Sequence, residues 1–111
     1  MVTLDEIKNV NDEIYKMETY VLQREEEKEK LTEDNDSIET QTMEEVLEDK
    51  TFSNEIKRKI EIKKRLSELN DHKANSECIN AIKQDVKKKS VDISYYKRIF
   101  KMMIAFKEDY K

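Results

Sequence analysis

A chain of 111 residues with no glycine and no proline lacks both the residue suited to positive-φ turns and the one that breaks helices, so an almost wholly α-helical protein is predicted. With 43% charged against 36% hydrophobic residues, one copy is too small and polar to bury a large core, and a homo-oligomer, a dimer by preference, is expected to complete it. No apolar run reaches the roughly 18 residues that span a bilayer, the first residues lack a signal peptide's basic and apolar regions, and the single cysteine excludes an internal disulfide, so no membrane partner and a cytoplasmic location are expected.

The net charge of −4 hides a division. Residues 1–52 hold 17 acidic and 6 basic side chains, a net of −11, whereas residues 53–111 hold 9 and 16, a net of +7. Either the two ends have different partners or they attract each other. A boundary is expected at the candidate linker before Thr42, between an acidic region 1–41, an amphipathic helix with that linker, and a helical, basic region 42–111.

The first helix opens on a capping box, Thr3-Leu4-Asp5-Glu6. Ile7, Val10, Ile14, Met17 and Val21 then alternate spacings of three and four, the seam of a short coiled coil or of a helix in a small bundle. Arg24 and Lys28 interrupt the seam before Leu31 resumes it, and the charged run between them reads as solvated helix surface. From Thr32 to Thr42 poor helix formers such as Asn35, Asp36 and Ser37 predict a linker. A second capping box, Thr42-Met43-Glu44-Glu45, predicts a short helix that buries Met43, Val46 and Leu47, with Phe52 closing it. Ser53 then caps a long helix with Ile56, Ile60, Ile62, Leu66 and Leu69 on one side and Lys57, Arg58, Lys59, Lys63, Lys64 and Arg65 on the other. Nothing in residues 70–72 decides whether this helix turns or runs on to Lys88.

The last stretch reads as two arms. Ile79, Ile82 and Val86 make one apolar face, a basic turn follows at Lys87-Lys88-Lys89-Ser90-Val91, and Asp92 is the candidate N-cap of a second helix starting at Ile93. Val91 is expected to staple onto Tyr96. That helix carries Ile93, Tyr96, Ile99, Phe100, Met103 and Phe106, flanked by Tyr95, Met102 and Ile104, more apolar surface than one half-buried helix needs. A second copy is the simplest cover. Ile7, Val10, Ile14, Met17, Val21, Ile79, Ile82, Val86, Tyr96, Ile99, Phe100, Met103 and Phe106 are thus the expected core and oligomer contacts of an all-α protein built from extended helical hairpins.

Catalytic chemistry finds little support. His72 and Cys78 are the single residues of their kinds, six apart and off any shared helical face, so neither a zinc site nor a Cys-His nucleophile is indicated. A surface histidine and a buried thiol are the simpler reading. Without glycine there is no phosphate-cradling loop. A non-enzymatic protein without cofactor or metal is expected.

Lys83, Lys87, Lys88, Lys89, Lys97, Arg98 and Lys101 cluster about the basic turn, beside the free amides expected at a helix start, a set suited to phosphates. Tyr95 and Tyr96 are candidates for stacking on bases. The order Asp71-His72-Lys73, Ile79, Ile82-Lys83, Val86-Lys87, Val91-Asp92 and Tyr96-Lys97-Arg98-Ile99-Phe100 resembles the small double-stranded-DNA-binding proteins of T-even phages and, more loosely, the nucleoid protein GapR. The match covers about a third of the chain, and Lys89 and Ser90 stand where those families usually have a glycine. The resemblance implies an all-helical oligomer on duplex DNA, acting in transcription or nucleoid organisation in a bacterial host cytoplasm. The rival expectation is a protein-interaction module, or a DNA mimic, that engages a host DNA-binding protein through the acidic half. An acidic half that competes with DNA for the basic arm would combine the two.

Overall fold

A computed structural model describes residues 2–109, and the described residues form three α-helices and no strand: α1 Leu4–Glu48, α2 Glu55–Glu68 and α3 Asn70–Asp109. The all-α class expected from the composition is observed, and no described residue has a positive φ, in keeping with a chain without glycine. The helices divide between two compact units, one formed by residues 1–26 with 83–111 and the other by 27–82.

In the first unit the opening of α1 packs along the second half of α3. Contacts advance from Glu18 to Arg24 on α1 while they retreat from Lys97 to Asp85 on α3, so the two segments run antiparallel. Ile7 and Ile14 are buried between them, with Val10, Met17, Val21, Val86, Ile93, Tyr96, Ile99, Phe100 and Met103 half-buried. Thr3 caps α1 as expected, its Oγ1 accepting from the Glu6 amide at 3.2 Å.

The second unit packs the end of α1, all of α2 and the start of α3. Val46 is fully buried and Ile82 nearly so, and Leu31, Ile38, Phe52, Ile62, Leu66 and Ile79 are half-buried. Met43 and Leu47 on α1 are exposed, contrary to the expectation that they are buried with Val46, and Ile56 and Ile60 on α2 are exposed as well. A helix of 14 residues that contacts its neighbours along one side leaves the rest of its circumference in water, whichever residues lie there.

Several local expectations are corrected. Residues 32–42 are helix, not linker: the seam resumed at Leu31 continues through Asn35, Ile38 and Thr42, and that tertiary contact outweighs propensity costs of a few tenths of a kcal/mol per residue. Thr42 is accordingly no cap, its hydroxyl donating to the Ile38 carbonyl at 2.9 Å inside the helix. Asn54, not Ser53, caps α2, its Oδ1 accepting from the Lys57 amide at 2.8 Å. Between Asp49 and Asn54 the chain turns on Asp49, whose carboxylate accepts from the Thr51 amide at 2.9 Å.

The boundary left open at residues 70–72 falls at Leu69, a single extended residue (φ −83°, ψ 109°). Its amide donates to the Leu66 carbonyl and its own carbonyl accepts from the Lys73 amide, so one residue ends α2 and begins α3. Finally, residues 87–91 form no turn. Helix α3 runs through them, Asp92 is an interior residue with no helix end to cap, and Val91 is exposed, not stapled.

A polar layer centred on the buried Asn35 lies in the second unit. Asn35 Nδ2 donates to Ser76 Oγ at 3.1 Å and His72 Nε2 lies 2.8 Å from Glu39 Oε1. The histidine is thus half-buried and partnered and the Cys78 thiol exposed, the reverse of the expected pair. A polar side chain at a seam position favours the one register that satisfies it.

Candidate nucleic-acid interface

Because α3 is unbroken, the positions of its basic residues follow from helical rotation of about 100° per residue. Lys83, Lys87, Ser90, Ser94, Lys97 and Lys101 recur at spacings of four, three, four, three and four, so they lie on one face about 80° wide and about 27 Å long. All six are exposed. The face reads as two lysine pairs separated by two hydroxyls, with the Ser90 hydroxyl donating to the Val86 carbonyl at 2.9 Å.

The structure therefore brings together four of the seven residues expected to contact DNA. Arg98 sits at the edge of their face and Lys88 points well away from it. Lys89 turns inward, its Nζ 5.4 Å from the centre of the Tyr20 ring, at the position of the inner seam between Val86 and Ile93. The helix start expected at Ile93 does not exist, so its amides are spent within α3 and offer phosphates nothing. Tyr96 packs inward, while Tyr95 lies edge-on to it at 5.8 Å on a different face from the lysines.

Among the described residues, Lys83, Lys87 and Lys101 enter no ion pair, and Lys97 meets Glu18 at 3.8 Å with both side chains about half exposed. A pair so open to solvent holds the lysine weakly. On the α1 segment of the second unit, Glu29, Glu33 and Asp36 are exposed.

One carboxylate anchors the inner side. Asp85 accepts from the Tyr20 hydroxyl and, at 3.0 Å, from Arg24 Nε. The tyrosine hydrogen bond, aided by Arg24 and Lys89 and opposed by partial desolvation, holds its carboxyl below the ordinary carboxylate range. A depressed folded-state value contributes stability above the unfolded value near 3.9 and loses it as pH falls through the folded one. Tyr20→Phe should thus lower the thermal midpoint at pH 6, and the gap from the parent protein should narrow by pH 3. Asp49, also depressed by its Thr51 hydrogen bonds, is common to both proteins and cancels in the comparison. A gap of constant width across thermal scans would detach Tyr20 from the ionisation of Asp85.

No group of three or more His, Cys, Asp or Glu side chains among the described residues is placed to hold a metal ion, and no described helix is long and apolar enough to cross a membrane. The seam that continues across residues 87–91 is the signal sequence reasoning missed: Ile79, Ile82, Val86, Ile93, Tyr96, Phe100 and Met103 keep one phase, interrupted by Lys89 alone. No family model, curated protein or solved structure matches this chain.

Proposed function

We propose that this chain is a non-catalytic duplex-DNA-binding protein of weak sequence selectivity. The carrying observation is the single exposed face Lys83-Lys87-Ser90-Ser94-Lys97-Lys101, in which four cations and two hydroxyls line about 27 Å of one helix. Lysine ammonium groups meet phosphates as point charges and carry no base code, while the Ser94 hydroxyl can donate to a phosphate oxygen. The net negative charge of the whole chain does not oppose this, because the stripe's field acts locally within a screening length of about 8 Å at physiological salt. A role accessory to transcription or nucleoid organisation in a phage or bacterial setting rests on the sequence resemblance.

The test is fluorescence anisotropy of a labelled random-sequence duplex over a salt series. Four neutralised phosphates give a slope of about −3.6 in log affinity against log salt, a loss of roughly a hundredfold for a fourfold rise in salt. Absence of binding at low salt, or binding indifferent to salt, would reject the proposal. A second reading, in which the acidic part of α1 docks on a basic protein surface, is favoured by the exposed face of Glu29, Glu33 and Asp36.

A further inference from the structure

Helix α2 has two apolar sides. Ile62 and Leu66 are half-buried, whereas Ile56 and Ile60, about a third of a turn away around the helix, are 72% and 64% exposed. Four exposed lysines flank the outward pair, Lys59 and Lys63 on one side and Lys57 and Lys64 on the other. Together the six side chains fill an arc of about 160°, with the exposed Ser67 between them. No carboxylate of α2 falls within that arc, since Glu55, Glu61 and Glu68 all lie outside it. At its edge Lys59 meets Glu55 at 3.3 Å, but both side chains stand largely in water and the pair holds the lysine weakly.

We infer that this face docks on a lipid surface carrying anionic headgroups, with α2 lying in the membrane plane, Ile56 and Ile60 at the acyl boundary and the four lysines among the headgroups. The lysines set the sign of the partner, and the isoleucines set its kind. A nucleic-acid backbone would satisfy the lysines but leave both isoleucines in water. An anionic bilayer offers a charged layer and, about 5–10 Å into it, an apolar one. The arrangement also fits a plane, because cations stand on both flanks of the isoleucines. Lysine stems can lie along the apolar boundary while their ammonium groups stay at headgroup level. The 14 residues of α2 extend about 21 Å along the surface at about 1.5 Å each, and none has to cross a hydrocarbon core about 30 Å thick. Docking leaves the other side of the helix undisturbed, where Arg58 Nε donates to the Phe52 carbonyl at 2.9 Å and the Arg65 guanidinium lies 5.7 Å from the centre of the Phe52 ring. The chain's net charge of −4 does not oppose it, since the four lysines act within a screening length of about 8 Å.

This inference does not rest on DNA binding, and its test uses no DNA. The full chain should float with vesicles of phosphatidylcholine and phosphatidylserine and stay behind with vesicles of phosphatidylcholine alone. Changing Lys57, Lys59, Lys63 or Lys64 singly to Gln should weaken that binding about fivefold each. Ile56→Ser combined with Ile60→Ser should weaken it about tenfold or more, with helicity by circular dichroism unchanged because both side chains are exposed in the folded chain. Insertion has its own readout. The chain has no tryptophan, so Ile60→Trp supplies a single one, whose emission should shift to the blue on the anionic vesicles and be quenched by brominated acyl chains. No binding to anionic vesicles, or equal binding to both kinds, would overturn the inference. Binding that survives the paired serine substitution and leaves the Ile60→Trp emission unshifted would overturn it too, by showing adsorption through charge alone. A parent protein indifferent to vesicles but held by polyglutamate would assign the face to an acidic protein instead.

Discussion

Ser90→Pro is expected to cost about 3 kcal/mol or more of folding free energy, a large part of the roughly 5–15 kcal/mol that holds a small domain together. Proline at position 90 removes the amide bonded to the Val86 carbonyl inside α3 and drives its ring against that carbonyl. Were residues 87–91 the turn their lysines suggest, the same substitution would be tolerated or mildly stabilising. Ser37→Pro makes the parallel test of the segment read as a linker, since residue 37 lies inside α1. The control is Glu55→Pro. Residue 55 is the first of α2, where an amide has no helical partner and proline's φ is already suitable, so a change of a few tenths of a kcal/mol is expected. Urea denaturation followed by circular dichroism measures all three. A Ser90→Pro loss no larger than that of Glu55→Pro would mean that the chain turns at residues 87–91.

Both segments share a reason for having been misread. Their compositions are those of loops, a lysine run before a Val-Asp pair in one and Asn-Asp-Ser in the other, and composition reports only a weak local preference. Phase reports more. A real turn restarts the helical register, yet Ile79, Ile82 and Val86 project onto Ile93, Tyr96, Phe100 and Met103 without an added or missing residue, provided Lys89 is allowed a seam position. The same holds on α1 from Ile7 to Thr42 if Arg24, Lys28 and Asn35 are allowed theirs. Lys89 reaches over the Tyr20 ring, Arg24 meets Asp85, and Asn35 meets Ser76, so the polar positions that broke the pattern in the sequence have partners that only the folded chain supplies.

What was legible, then, was whatever depends on local chemistry or on period: the absence of strands among the described residues, the Thr3 cap, and the inward faces at Ile7, Ile14 and Ile82. The site divides along the same line. Lys83, Lys87, Lys97 and Lys101 were named for their charge, but their common face requires that α3 be continuous, because a turn between Lys87 and Lys97 would remove any fixed angle between the pairs. The break at Leu69 was not legible, since an extended φ and ψ are open to any residue and nothing in its type marks it.

The continuity of that face makes the sharpest functional prediction. Changing Lys83, Lys87, Lys97 and Lys101 together to Glu is expected to abolish duplex binding and with it a salt slope of about −3.6, since each lysine that meets a phosphate accounts for about −0.9. A fall in affinity alone would be ambiguous, because eight units of added negative charge repel DNA wherever they are placed. The matched protein therefore carries the same change at Lys50, Lys57, Lys63 and Lys64, four exposed lysines of the second unit. Its overall charge is identical, so it should bind more weakly than the parent but keep most of the slope. Glutamate favours helix about as well as lysine, and circular dichroism should show both variants folded. Single Lys→Gln changes refine the count: each of the four should lower the slope by about 0.9 without regard to the duplex sequence, whereas Lys88→Gln, off the stripe, should leave it unchanged. Equal loss in the two quadruple variants would mean that binding follows total charge and not the stripe, and the lysine face of α3 would then be no more than a solvated helix surface.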